Sequence, residues 1–272
     1  QPSMNTLAQK QLQLMNDLWL AQDRHELHLV YQPKFQAPAG PIVGFEALLR
    51  WQHPTQGLLS PDQFLPLAEK SGLIIPIGNW VIDEACRQLR VWHLEGHTEW
   101  SMAVNLSTLQ FEQPQLVDTV MGSLARHGIP PHTLILEVTE TTAMNNPDES
   151  VRVLTELTQA GVKASIDDFG TGYSSLLYLK KLPACELKID RAFVKDLNGA
   201  GEDATIVAAI IALAKTLNLK VVAEGVETQE QQTFLTELGC TTLQGFLLGK
   251  PVSAQTINAM SRDPQALLTQ QI

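Results

Sequence analysis

Apolar positions along this chain follow two rhythms that take turns. Short runs at residues 101–105, 134–138, 164–167, 185–189, 220–223 and 242–246 have the length and apolar content of buried strands. Stretches with helical spacing lie at 61–71, 78–95, 114–127, 147–160, 173–180, 203–217 and 229–238. Strands that each follow a helix predict a parallel sheet with helices covering it. The start of the chain is different. Residues 27–35 and 42–50 read as two strands joined by the turn Ala37-Pro38-Ala39-Gly40-Pro41. So short a connection makes an antiparallel hairpin, because a parallel crossover needs a dozen or more residues. Ahead of the hairpin, Leu7, Leu14, Met15 and Leu18 recur at helical spacing and predict an amphipathic lead-in helix over 7–23. Eight strands in about 250 residues suit an α/β fold of the closed (β/α)8 type, although spacing alone also permits an open doubly wound sheet.

Polar residues interrupt this pattern at one recurring place, the ends of the strands. Glu46 lies in Phe45-Glu46-Ala47-Leu48, Asn105 ends Met102-Ala103-Val104, and Glu137 lies in Leu136-Glu137-Val138. Asp167 and Asp168 close Ser165-Ile166, Lys188 lies in Leu187-Lys188-Ile189, Glu224 follows Val222-Ala223, and Gln244 follows Thr242-Leu243. A carboxylate buried unpaired among aliphatic side chains costs several kcal/mol. A single case has a plain explanation as an ion pair or helix cap, but seven strand ends with the same feature do not. If the strands close a barrel, these groups converge on its C-terminal mouth, where such barrels place their chemistry.

Composition narrows the reading. The chain has 272 residues, 44% of them hydrophobic, and no long Ser/Gly/Pro linker, so it reads as residues 1–26 leading into one barrel domain at 27–272. A formal net charge of -10 argues against a basic stripe for DNA or RNA. Cys86, Cys185 and Cys240 are odd in number and widely spaced, as expected of buried free thiols in a reducing cytoplasm. The longest apolar run, 206–214, falls far short of the roughly 18 residues of a spanning helix, and the N-terminus lacks a signal pattern. No membrane contact is therefore expected from this chain itself. It starts at Gln1 rather than Met, the expectation for a piece of a larger protein whose other parts are free to include a membrane anchor.

The strand-end set also has a coherent chemistry. Glu46, Glu137, Asp167 and Asp168 with the amide oxygen of Asn105 make a hard-oxygen ligand set, suited to Mg²⁺ or Mn²⁺ rather than zinc. Adjacent Asp167 and Asp168 call for a nearby cation if both are to stay ionised. Two cations close together activate a water and clamp a phosphoryl oxygen, and Lys188 is placed to hydrogen-bond that water or the developing charge. Gly170-Thr171-Gly172 follows the Asp pair and suits a loop at the mouth. His53, near that mouth, reads as a surface-loop histidine, and Trp80, Trp92 and Trp100 as packing residues.

Taken together, these residues resemble the EAL family of cyclic di-GMP phosphodiesterases. Glu46-Ala47-Leu48-Leu49-Arg50 is similar to the naming signature. The match continues through Tyr31-Gln32-Pro33, Asn105-Leu106-Ser107, Leu136-Glu137-Val138-Thr139-Glu140 and Asp167-Asp168-Phe169-Gly170-Thr171-Gly172-Tyr173-Ser174-Ser175. Leu187-Lys188-Ile189-Asp190, Ala223-Glu224-Gly225-Val226-Glu227 and Gln244-Gly245-Phe246 complete it in collinear order. The resemblance implies a barrel whose first strand is antiparallel, and hydrolysis of cyclic di-GMP to linear pGpG. It implies one cation on Glu46, Asn105, Glu137 and Asp167, and a second on Asp167 and Asp168, with Ca²⁺ inhibitory. Lys188 then contacts the nucleophilic water, Glu224 is a general base or a water-mediated ligand, and Gln244 orients water or a carboxylate. Gln32, Leu48 and Arg50 take substrate-contacting places. Glu140 resembles the glutamate that braces the loop containing Phe169, Gly170, Thr171 and Gly172, through which family members form homodimers. The alternative from another class is a receptor that binds cyclic di-GMP without turnover; a metal-dependent barrel enzyme for another phosphate or carboxylate substrate is a further rival.

Overall fold

In the computed structural model, which describes residues 4–38, 40–172, 176–197 and 201–262, eight strands close around a polar axis. They are β1 (Leu27–Gln36), β2 (Ile42–His53), β4 (Ser101–Leu106), β5 (Leu134–Thr139), β6 (Lys163–Phe169), β7 (Glu186–Ile189), β8 (Lys220–Ala223) and β9 (Thr242–Leu243). A short β3 (Gly57–Leu59) extends β2 as a hairpin outside the ring. The order β1-β9-β8-β7-β6-β5-β4-β2 closes through β1–β2 pairing. From β2 round to β9 neighbours are parallel, while β1 runs antiparallel to both β2 and β9. The barrel and its reversed first strand are therefore those that the hairpin and the strand–helix alternation predict.

Helices α1 (Met4–Ala21), α2 (Pro61–Ser71), α3 (Ile74–Leu94), α4 (Thr108–Phe111), α5 (Leu116–His127), α6 (Glu140–Asn145) and α7 (Pro147–Gln159) surround the first half of the sheet. Helices α8 (Leu176–Leu179), α9 (Arg191–Lys195), α10 (Glu202–Thr216), α11 (Gln229–Leu238) and α12 (Ala254–Arg262) follow. Helix α3 starts four residues earlier than its periodicity predicts. Pro76 lies in its first turn, where the missing N–H has no intrahelical partner to lose. Farther along α3, a Cβ on Gly78 would collide with the Gln110 side-chain amide, so glycine there lets α4 approach. Strand β9 is shorter than predicted and ends at Leu243, although the Gln244 N–H still donates to the Ala223 carbonyl at 2.9 Å.

Side chains on the outer face of the sheet pack into an apolar jacket. Trp92 of α3 is fully buried, with ring centroids 5.0 Å from Tyr31, 4.7 Å from Phe45 and 5.7 Å from Trp100. Its indole N–H donates to Asn258 Oδ1 of α12 at 2.7 Å. His53 corrects the surface-loop expectation. It is buried, its Nε2 lies 3.4 Å from Asp17 Oδ2 of α1, and its Nδ1 accepts from the backbone N–H groups of Thr55 and Gln56. Together with the Trp51 Nε1 bond to Glu26 Oε2 at 2.9 Å, it ties the lead-in segment to the end of β2. Cys86 and Cys240 are buried free thiols as expected, while Cys185 is only half-buried. No helix among the described residues is long and apolar enough to cross a membrane.

Candidate active site

Alternate residues of each strand face the barrel axis, and at its C-terminal end those positions carry charge. Lys188, from the middle of β7, is the hub. It is fully buried, with Nζ 2.6 Å from Glu137 Oε2, 2.7 Å from Glu224 Oε1, 2.9 Å from Asp167 Oδ2 and 3.8 Å from Glu46 Oε2. Glu46 is held by two amides: Asn105 Nδ2 donates to its Oε1 at 2.7 Å and Gln244 Nε2 to its Oε2 at 2.7 Å. Gln244 Nε2 also lies 3.1 Å from Gln32 Oε1, and Gln32 Nε2 donates to the Gly249 carbonyl at 3.2 Å. Arg50, half-buried near the end of β2, donates from Nη1 to the Leu49 carbonyl at 2.8 Å, and Leu48 is half-buried beside it.

The second acidic group forms where β6 ends. Asp167, Asp168 and Glu224 present carboxylate oxygens that all lie within 4.8 Å of one another. Asp168 is one of the few non-glycine residues with positive φ, at 54°, a strained conformation typical of functional sites. The Asp168 N–H donates to Asp167 Oδ1 at 2.8 Å. Beyond it, the Gly170 N–H donates to Glu140 Oε2 at 2.8 Å, and the Thr171 hydroxyl donates to the Asp168 carbonyl at 2.8 Å. Glu140 is 1% exposed, at the start of α6, where Thr139 caps the helix by accepting from the Thr142 N–H. A Cβ on Gly172 would come within 2.8 Å of Glu140 Oε1, so the loop approaches that carboxylate closely. Phe169 is buried beneath the loop. Tyr173, Ser174 and Ser175 lie outside the described residues.

Burial and crowding set the electrostatics. Burial opposes ionisation of Glu137, but the ammonium groups of Lys188 and Lys34 outweigh it and hold the carboxyl at about 2. Burial pushes Glu224 up to about 8; Lys188 opposes this, and Asp167, Glu46 and Glu137 add to it. Glu46 moves upward chiefly through burial. Asp168 rises to about 6 through burial, the adjacent Asp167 and a hydrogen bond with Asp190. Burial disfavours the charged Lys188, yet the surrounding carboxylates hold its ammonium well above the usual range.

Lys34 and Glu186 belong to this electrostatic system and escaped the sequence reading, while Asp190 stands in the matched motif without an assigned role. Lys34 is 2% exposed, and its Nζ lies 2.7 Å from Glu137 Oε1 and 3.6 Å from Glu186 Oε1. The available signal was period two: Lys34 stands two residues from Gln32, on the same face of β1.

The EAL domain profile matches residues 15–251. The chain belongs to the EAL family. It is 62% identical over 257 residues to the bifunctional diguanylate cyclase/cyclic di-GMP phosphodiesterase MucR of Pseudomonas aeruginosa, a match covering 94% of this chain and 38% of that protein. The cyclic di-GMP phosphodiesterase NbdA of the same organism is 45% identical over 255 residues, covering 94% of this chain and 33% of NbdA. The chain thus spans well under half the length of these curated relatives. Among solved structures, the PaMucR phosphodiesterase in its c-di-GMP complex matches with a TM-score of 0.88 at 61% identity, over 90% of this chain and 99% of that one. The FimX EAL domain of Pseudomonas aeruginosa bound to c-di-GMP matches with a TM-score of 0.80 at 26% identity, over 88% of this chain and 96% of that one. In this EAL chain the signature Glu46-Ala47-Leu48 lies in β2, with the Glu46 carboxylate turned inward to Asn105 and Gln244.

Proposed function

We propose that this chain hydrolyses cyclic di-GMP to linear pGpG with two divalent cations, Mg²⁺ or Mn²⁺, held at the barrel mouth. The observation that carries the reading is the convergence of Glu46, Glu137, Asp167 and Glu224 on one buried ammonium, Lys188, with Asp168 alongside. The substrate named for the MucR and NbdA relatives agrees with it.

The residues fit such cations. The donors are hard oxygens, and the site carries far more carboxylate than ammonium charge. Asn105 donates to Glu46 through Nδ2, which leaves its Oδ1 as an acceptor for a cation. Glu46, Asn105, Glu137 and Asp167 would hold one ion. Asp167 and Asp168 would hold the other, and the closeness of Glu224 to both favours its ligand role over that of general base. Bound cations supply an activated water and neutralise charge on the phosphoryl oxygens. Lys188 would hydrogen-bond that water once a cation takes over one of the three carboxylates that its ammonium now meets, and Gln244 keeps Glu46 oriented. Gln32 and Leu48 line the substrate's path. Arg50 spends one donor on a backbone carbonyl and keeps the rest of its guanidinium for a phosphate.

In the same reading, residues from 27 onward are the catalytic unit, and 1–26 lead into it from a larger protein working in the cytoplasm. Glu140 braces the loop after Asp168 through Gly170. Leu176 and Leu177, 60% and 65% exposed on α8, support a homodimer formed beside that loop.

Incubation of the purified chain with cyclic di-GMP and Mg²⁺ or Mn²⁺, with chromatographic product analysis, tests the proposal. Metal-dependent pGpG that disappears in EDTA is the expected result. Binding without any turnover overturns it in favour of a receptor.

A further inference from the structure

Below the mouth, where the axis of such a barrel is ordinarily filled by branched aliphatic side chains, a second ion pair lies buried. Strand β1 runs downward, so Lys34 sits one layer below Gln32, opposite Gly44 of β2. Gly44 has no side chain to compete for the axis, and a Cβ there would collide with Ser101. The lysine stem sends its ammonium up to Glu137 in the layer above. Glu137 is gripped at both oxygens: Lys34 holds Oε1 at 2.7 Å and Lys188 holds Oε2 at 2.6 Å. Behind Lys34, Glu186 of β7 is 6% exposed, and Lys34 is its salt-bridge partner among the described residues.

A buried pair of this kind contributes little net stability, because desolvation offsets most of the Coulomb gain. It does fix an orientation. We infer that Lys34, backed by Glu186, is a positioning residue that pins Glu137 Oε1 downward, so that Oε2 is the oxygen offered to the cation and to Lys188. The inference rests on the proposed role of Glu137 as a cation ligand. The physical basis is that partners behind a ligating group fix its direction, and their loss costs about tenfold to hundredfold in metal affinity.

Positioning and plain electrostatics predict opposite signs. If Lys34 acted only through its charge, removing it from among carboxylates would tighten cation binding. If it positions Glu137, removing it loosens binding although the site becomes more negative. The test is Mn²⁺ titration calorimetry on the metal-stripped full chain without nucleotide, comparing wild type, Lys34→Met and Glu186→Gln, with circular dichroism to verify folding. Lys34→Met is expected to weaken Mn²⁺ binding by about tenfold or more. In turnover assays kcat should fall, while KM for cyclic di-GMP stays within about threefold.

Unchanged or tighter Mn²⁺ binding in folded Lys34→Met overturns the inference. If that variant does not fold, Glu186→Gln decides. It keeps the lysine but removes a negative charge, which by charge alone also weakens cation binding slightly. The expected loss is about tenfold or more, and wild-type affinity or a loss of only a few-fold overturns the inference. Wild-type chain that binds Mn²⁺ but leaves cyclic di-GMP intact defeats the substrate assignment alone. Wild-type chain that does not bind Mn²⁺ defeats the cation site and this inference together.

Discussion

Neighbouring residues of single strands serve two regions of opposite character. Gln32, Lys34 and Glu46 face the axis, where six carboxylates (Glu46, Glu137, Asp167, Asp168, Glu186 and Glu224) crowd the two ammonium groups of Lys34 and Lys188. Tyr31 and Phe45, each one position away, face outward and pack against Trp92 and Trp100. The difference separates two tasks. The jacket buries aromatic surface and stabilises the fold. The axis holds like charges together at a cost, the arrangement expected where stability is given up for chemistry.

Glu46 separates the two regions most sharply. Glu46→Ala should abolish turnover of cyclic di-GMP while the cation-free melting temperature stays level or rises, since a buried carboxylate leaves a crowded acidic site. Near-normal turnover defeats its ligand role, and a collapse in stability defeats the division of tasks.

Trp92→Ala probes the other side. Loss of a fully buried indole should cost about 3–5 kcal/mol in denaturant unfolding, with kcat per folded molecule little changed. A comparable loss of kcat in folded protein would mean that jacket and axis are coupled.

Exchange of Mg²⁺ for Ca²⁺ sharpens the picture of the axis alone. The larger ion tolerates looser geometry, so steady-state rates should fall; undiminished rates argue against two closely placed cations. The smallest effect is chemical. Burial pushes the Cys86 and Cys240 thiols up to about 12 and raises Cys185 as well, so access decides the order, and an alkylating reagent should modify half-buried Cys185 first. Mass spectrometry of partly labelled native protein reads the order directly, and early labelling of Cys86 would contradict the sealed jacket.

Much of this organisation was legible beforehand because it repeats. Charged residues at the ends of apolar strands stand out against their neighbours, and the short hairpin dictates the direction of β1. The geometry of the mouth follows from those two facts once the sheet closes. Lys34 was passed over because a lysine just before a turn looks like a solvated surface residue; its period-two relation to Gln32 gains meaning once the barrel closes. His53 was misread for the same reason, since Asp17, its partner, is remote in sequence. The early start of α3 was hidden by Pro76, which reads as a breaker unless it is known to sit in a first turn. In the interval between Asp168 and Leu176, spacing alone gives only glycine punctuation; Glu140, which lies on another strand–helix unit, is named as the brace only through the family resemblance.

The reversed direction of β1 has a consequence for how such a barrel can be wired to other modules. With a parallel first strand, the chain would enter at the floor, opposite the chemistry. Here Leu27 pairs with Trp51 near the upper end of β2, where Asp17 fastens α1 and Glu26 fastens the segment that follows it. Any module fused ahead of α1 therefore acts on the barrel through a helix whose C-terminal end is fastened on the side of the mouth. A pull or twist on the lead-in helix reaches the rim through two side-chain bonds, without crossing the sheet, and successive fusions can inherit that short route unchanged.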